Sequence, residues 1–284
     1  QCDTLLVLSA RQAEPLLRAH AAGETQACTS LDLNMTRQDV RLDTDGVHLP
    51  DGRLTWAVLQ QVASDPDACW SVEGETVQPI HAFSAETQRA YSLFPTDSAP
   101  TLIAAGFTMH RIRRIDPWQD TLNKIRAAAP LRGRILDTNT GLGYTAIVAA
   151  RTAASVTTVE IDPTVLEIAR LNPWSRALFT TPTISQVVGD GAEVIEDLAA
   201  ASFDVVIHDP PSLSLAGDLY GGAFYREVWR VLRPNGRLFH YVGNPESHQG
   251  SSVTRGVIRR LHDAGFSQVQ SQPDAFGVTA RKGR

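Results

Sequence analysis

The sequence predicts an α/β fold: a doubly wound, mostly parallel sheet of seven strands with a C-terminal antiparallel hairpin strand, preceded by a small α+β domain. Three observations carry this expectation. From Arg134 onward, short apolar runs alternate regularly with segments of helical spacing, the pattern of βαβ units with helices on both faces of a parallel sheet. The stretch RILDTNTGLG (134–143) reads as a strand running into a glycine turn, and TAIVAARTAA after it has good helical composition. Near the end, FSQVQS and FGVTARK are separated only by Gln272 to Ala275, which makes a hairpin whose last strand runs against the rest of the sheet.

Composition supports one large domain with a smaller one: 284 residues, 43% hydrophobic and 20% charged, are ordinary globular values at more than the usual single-domain length. A net charge of -5 and a pI near 5.9 do not favour a nucleic-acid binder. Cys2, Cys28 and Cys69 lack metal-site spacing, so neither a zinc site nor a disulfide framework is expected, and a reducing cytosol fits best. LLVLSA is too short for a membrane span and has no basic residue before it, so neither a signal peptide nor an anchor is expected.

In chain order, residues 9 to 22 have helical spacing and Gly23 is a plausible stop. ACTSLDLNM, QDVRLDT and GVHLP follow as short alternating runs between the turns Thr44-Asp45-Gly46 and Pro50-Asp51-Gly52, a β-rich meander. LTWAVLQQVA (54–63) reads as a helix, then CWSV, TVQPIHAF, RAYSLFPT and TLIAAGF as strands. Together these form an α+β domain over residues 1–110, the region expected to select the substrate. His81 and His110 beside apolar runs read as structural side chains. The second domain spans 111–284 and opens on a linker helix, with Asp116 as N-cap and Pro117 at the first helical position. Arg111, Arg113 and Arg114, with Lys124, Arg126, Arg132 and Arg134, read as a solvated basic face or, alternatively, a site for an anionic substrate.

The second domain then reads strand 134–137, helix 144–153, strand 156–160, helix 163–171, strand 184–188, helix 191–199 and strand 203–208. Helix 222–232 follows, ended by Pro234-Asn235-Gly236, then strand 237–242, helix 252–264 and the closing hairpin. Glycines at the first turn let the backbone come close to a ligand, while the helix N-terminus offers free N–H groups. Glu160 ends the next apolar run, 23 positions beyond Asp137, where a carboxylate takes both hydroxyls of a ribose. The unit reads as a nucleoside-cofactor site.

The C-terminal 160 or so residues resemble the class I, Rossmann-like S-adenosylmethionine-dependent methyltransferases. DTNTGLG stands at that family's glycine loop, VEID at its acidic second strand end, GDGAE at its third-strand signature, HDPP at its fourth strand end and YREVWRVLRPNG at its helix before strand five. HDPPSLSLAGDLY and HYVGNP are similar to a group of largely uncharacterised methyltransferases of archaea. The resemblance implies S-adenosyl-L-methionine as cofactor and S-adenosyl-L-homocysteine as product. It implies that Asp137 receives the cofactor's ammonium, with Asn139, Thr140, Gly141 and Gly143 shaping the loop. Glu160 holds the ribose, with Ile161 beside it, and Asp190, Gly191 and Ala192 serve the adenine. Asn139 stands where the family has glycine and tolerates left-handed geometry.

Asp209-Pro210-Pro211 matches a motif that, in amino-methylating relatives, holds a nitrogen through the acid and a proline-fixed carbonyl; Ser212 replaces the aromatic residue found next. Asp209 is thus a catalytic and cofactor-side candidate. His208 is a candidate general base unless strand alternation turns it into the sheet. Tyr241 is a further catalytic candidate and, with Tyr220 and Tyr225, a pocket wall. Ser251 and Ser252 ahead of Arg255, Arg259 and Arg260 read as an anion site or a capped surface helix. The methyl acceptor, a small molecule or a macromolecule with an anionic group as one candidate, is not named by the sequence, and neither is the oligomeric state.

Three rival readings share the scaffold. VEID, GDGAE and FYREVWRVLRPNG are also similar to spermidine synthase, an aminopropyltransferase that uses decarboxylated S-adenosylmethionine. That family carries an acid in the glycine loop where Gly141 stands here, which favours methyl transfer. A NAD-binding protein shares the strand, glycine turn and strand-end acid, but HDPP and the terminal hairpin point away from it. A non-catalytic regulator with a vestigial pocket would not need Asp137, Glu160, Asp190 and Asp209 together.

Overall fold

A computed structural model describes residues 6–50, 52–213 and 216–284. Cys2, Asp51 and the Ser214–Leu215 part of the loop after HDPP lie outside the described residues. The chain divides into two compact units, one of residues 1–118 with 164–176, the other of 119–163 with 177–284.

In the first unit, the helix Ala10–Ala21 starts at Ser9, whose hydroxyl and backbone N–H form a capping box with Gln12. The helix Trp56–Ala63 is capped by Thr55. Both bury apolar faces in a core of Leu8, Leu16, Val40, Leu54 and Leu59. The expected single meander is instead several small sheets. Gln26–Thr29 pairs with Gln38–Arg41, and Gly46–Leu49 with Gly52–Thr55, as separate antiparallel ribbons. Leu6–Ser9 pairs with Cys69–Glu73, and that strand with Thr76–Pro79. TVQPIHAF is not one strand. Ile80 gives its N–H to the Cys69 carbonyl at 2.8 Å on one side and accepts the Leu93 N–H at 3.0 Å on the other, so the chain passes there from one sheet to the next, and His81–Ser84 opens a four-stranded sheet with Arg89–Phe94, Thr101–Ala104 and Phe107–Thr108. His110 Nδ1 lies 3.0 Å from the Thr101 hydroxyl, a structural bond, whereas His81 is exposed.

The second unit is built on one sheet. Its strands are β1 (Arg134–Asp137), β2 (Ser155–Glu160), β3 (Ile184–Val188), β4 (Phe203–His208), β5 (Leu232–Tyr241), β6 (Phe266–Gln272) and β7 (Gly277–Lys282), in the order β3-β2-β1-β4-β5-β7-β6. β1 to β5 are mutually parallel, β7 runs antiparallel to β5, and β6 returns antiparallel to β7. Helices cover the central strands, so these read as near-continuous apolar runs. Leu136, Val206, Leu238, Val228 and Val257 belong to one core cluster. Strand order reverses between β1 and β4, where an open α/β sheet leaves a crevice at its carboxyl edge.

Helix ends depart from expectation for local reasons. The first helix of the sheet stops at Ala149, not 153, because the Thr152 hydroxyl donates to the Leu131 carbonyl at 2.8 Å and the Ala154 N–H to that of Gly133 at 2.8 Å, turning the chain toward β2. The helix expected at 252–264 spans His248–Asp263, capped by Ser247, which accepts from the Gly250 N–H at 2.9 Å. Among the described residues no helix is long and apolar enough to cross a membrane.

Candidate active site

The carboxyl edge of the sheet gathers acids. β1 ends in Asp137, which is wholly buried. Its Oδ2 accepts from the Thr158 hydroxyl at 2.7 Å, and the Thr158 and Thr140 hydroxyls lie 2.6 Å apart. Oδ1 has no hydrogen-bond partner. A buried carboxylate oxygen left unmet is costly and calls for a cation or donor. Burial, reinforced by the charges of Asp209 and Glu160 and partly offset by the Thr158 hydroxyl and the nearby Asn139 N–H, pushes the Asp137 pKa up to about 8. Gly141 and Gly143 follow with φ of +52° and +77°, the left-handed region that glycine alone enters freely. Their roles differ. A Cβ on Gly143 would lie 2.6 Å from a Leu178 methyl, so this glycine serves packing, whereas a Cβ on Gly141 would meet nothing within 4 Å, so the turn faces open space. Asn139 does not use left-handed backbone, contrary to expectation. The turn takes its positive φ at Gly141 and Gly143, and the Asn139 side chain lies 2.8 Å from the Thr138 hydroxyl.

β2 ends in Glu160. Its Oε2 accepts the Gly141 N–H at 2.8 Å and its Oε1 the Asp162 N–H at 3.1 Å, so loop and carboxylate fix one another. Burial, against those backbone donors, raises its pKa to about 7. Ile161 after it is 46% exposed, and Val188 at the end of β3 is 55% exposed, large apolar side chains left uncovered beside buried acids. Asp190 caps the helix Gly191–Asp197 by accepting the Ala192 N–H at 2.8 Å, and a Cβ on Gly191 would lie 3.2 Å from the Thr138 carbonyl. An unmet buried carboxylate for an ammonium, a second carboxylate for hydroxyls, an open glycine and two uncovered aliphatic side chains for a planar ring match the parts of an adenosyl amino acid.

β4 delivers Asp209, and the structure gives it an unforeseen partner. Lys124, expected on a solvated basic face, is 1% exposed, with Nζ 2.6 Å from Asp209 Oδ2, 3.2 Å from Asp120 Oδ2 and 4.4 Å from the centroid of the Tyr241 ring. The signal was present in the helix: positions 117, 120, 121, 124 and 128 form its buried stripe. Arg126, Arg132 and Arg134 do lie exposed.

His208 is no general base. Alternation in β4 turns its ring into the core, where Nδ1 sits 2.6 Å from the Thr138 hydroxyl and Nε2 2.8 Å from the Leu219 carbonyl, and burial lowers its pKa to about 3. Tyr225 is also packing rather than wall: it is buried, with its hydroxyl 2.8 Å from His240 Nε2. Tyr220 donates to the Pro211 carbonyl at 2.9 Å, tying down the loop behind Asp209. Tyr241 stays partly exposed beside Lys124. Of the two readings of the last helix, the capped surface helix is the one its geometry fits. Ser251 and Ser252 lie inside the helix rather than ahead of it, Arg260 donates to the Tyr220 carbonyl at 2.9 Å, and Arg255 and Arg259 are exposed.

A family model described as a methyltransferase domain matches residues 136–240. An uncharacterised protein of Methanocaldococcus jannaschii is 42% identical over 262 residues, which cover 90% of this chain and 89% of that protein. Putrescine N-methyltransferase 4 of Nicotiana tabacum is 25% identical over 183 residues, 59% of this chain and 47% of that enzyme, so the match spans about half the tobacco protein. Among solved structures, spermidine synthase in complex with the transition-state analogue AdoDATO shares the fold, with a TM-score of 0.58 at 18% identity over 72% of this chain and 73% of that one.

Proposed function

We propose that this chain, which belongs to the class I, Rossmann-like S-adenosylmethionine-dependent methyltransferases, transfers a methyl group from S-adenosyl-L-methionine to the nitrogen of an aliphatic amine held beside Asp209. The observation that carries the cofactor assignment is the buried Asp137 carboxylate with one oxygen unmet, next to the open turn at Gly141. Asp137 would take the cofactor's ammonium, Glu160 its ribose hydroxyls, and Ile161 and Val188 would flank its adenine near Asp190. When bound, the cofactor supplies an already activated methyl group on a sulfonium. The protein's task is then to orient the acceptor nitrogen in line and keep its lone pair free. Transfer would join the methyl carbon to the nitrogen lone pair as the C–S bond breaks, with S-adenosylhomocysteine as the leaving group and the amine's proton passing to solvent.

Asp209 is suited to accept an N–H of that amine, since Pro210 and Pro211 limit the backbone behind it and Lys124 holds its carboxylate. Ser212 offers no ring for stacking a planar base, which favours an aliphatic amine, the acceptor type named for the tobacco relative. Aminopropyl transfer, the rival on this scaffold, would by the family resemblance call for an acid at Gly141. In the expected result, isotope-labelled methyl from S-adenosylmethionine enters di- and polyamines such as putrescine, with S-adenosylhomocysteine released. Methylthioadenosine formed from the decarboxylated cofactor would establish the rival, and no labelled amine from a protein that binds the cofactor would overturn the choice of acceptor.

A further inference from the structure

Lys124, Asp120 and Asp209 form a charge cluster of unequal members. Lys124 and Asp120 are closed off from solvent, at 1% and 0% exposed side chain, whereas Asp209 retains 16%. One acid suffices to neutralise a buried lysine. Asp120, one helical turn away on the same helix, already supplies it. The shorter contact nonetheless goes to Asp209, 85 residues along the chain and on the sheet edge that carries the candidate site. Two carboxylates and one ammonium leave the cluster with a net charge of -1. Burial alone would strip the proton from Lys124, but the flanking Asp120 and Asp209 outweigh it and keep its pKa above the usual lysine range. The lysine is therefore a permanent cation.

We infer that Lys124 is the positioning residue of the acceptor site: it holds the Asp209 carboxylate in its ionised form and in one orientation, so that a fixed negative charge faces the position where the methyl group is transferred. This rests on the reading of the site as one for S-adenosylmethionine. Among the described residues, the charged and titratable groups that act on the pair include Asp120 on the leading helix, Asp137 at the end of β1, Tyr220 after β4 and Tyr241 at the end of β5. Every other acid in that set raises the cost of ionising Asp209. Without Lys124, like charges crowd together with no cation between them, which disfavours two ionised carboxylates side by side.

The ratio of S-adenosylmethionine to S-adenosylhomocysteine affinity reads this charge without knowledge of the acceptor. The two molecules differ by a methyl group and the sulfonium charge, so acids that touch their shared ammonium and ribose largely cancel in the ratio. Calorimetry from pH 6 to 9 on the full chain should show a parental ratio constant within about twofold. In Lys124→Met the ratio should change roughly tenfold over that range, moving toward S-adenosylmethionine as pH rises and Asp209 ionises. Lys124→Arg should restore the flat profile. If Lys124→Met alone does not fold, Asp120→Asn/Lys124→Met removes the buried pair together and should show a slope of the same sign but smaller, because one like charge is gone as well. A flat ratio equal to the parental one in the folded variant overturns the inference and leaves the cofactor reading standing. Failure of the parent to bind either molecule overturns the cofactor reading and the inference with it.

Discussion

Asp137→Asn is expected to weaken S-adenosylmethionine and S-adenosylhomocysteine alike, by about 1.5 to 3 kcal/mol, the range for a hydrogen bond to a charged group, or roughly tenfold to a hundredfold. Equal loss follows because the ammonium is common to both molecules. The unmet Oδ1 and the raised pKa of Asp137 also fix the pH dependence. An unfolded aspartate titrates near 3.9, whereas burial raises the folded value to about 8. The ligand-free protein therefore keeps this residue neutral, enjoys its full contribution below about pH 4, and loses stability progressively as pH rises to about 8. Asparagine carries no charge to desolvate. Without cofactor the variant should accordingly melt at a higher temperature than the parent at pH 8 to 9, while gaining less from added cofactor. In the parent, an arriving ammonium favours the ionised carboxylate, so binding should release a proton near neutrality and tighten as pH rises toward 8. Glu160, raised to about 7, acts in the same direction. Calorimetry in two buffers of different ionisation enthalpy measures that proton. Unchanged affinity in Asp137→Asn would remove the residue from the cofactor site.

Asp209→Asn should leave cofactor affinity within a few-fold of the parent and cut methyl transfer to an accepted amine by at least about tenfold, equivalent to about 1.4 kcal/mol of barrier. The fold should survive, because Lys124 keeps Asp120 at 3.2 Å and the buried charges then balance one to one. The reverse deletion is harsher. Removing one partner of a buried pair leaves uncompensated charge and costs about 3 to 5 kcal/mol, the loss expected for Lys124→Met. Thermal melts separate the outcomes: a turn held only for structure would lose activity and stability together in Asp209→Asn. Transfer at the parental rate would take Asp209 out of the mechanism and leave Tyr241 as the remaining candidate at that edge.

What was legible in the chain followed burial geometry. Phe203–His208 lies where its apolar run placed it, because a central strand covered on both faces carries a near-continuous hydrophobic signal, whereas the edge strand Ile184–Val188, with Ser185 and Val188 exposed, was legible from its place in the alternation of strands and helices. In the first unit, four-residue strands such as Leu6–Ser9 have too little alternation to read, and the pairing of Leu6–Ser9 with Cys69–Glu73 depends on residues far apart in sequence. Asp137 and Glu160 could be found because each ends an apolar run at a turn. Lys124 was missed because a lysine amid arginines reads as surface, and the partner that draws it inward is 85 residues distant. His208 was decided by which side of β4 it occupies, which a pattern of period two leaves open when both faces are buried.

On the proposed reading, this edge of the sheet holds S-adenosylmethionine with its methionine carboxylate, as a methyl donor. Calorimetric comparison of S-adenosylmethionine with its decarboxylated form tests it most directly and needs no acceptor. With Gly141 leaving the turn open and free of an acidic side chain, S-adenosylmethionine should bind in the micromolar range and at least about tenfold more tightly. Tighter binding of the decarboxylated form would contradict methyl transfer and assign the site to aminopropyl chemistry.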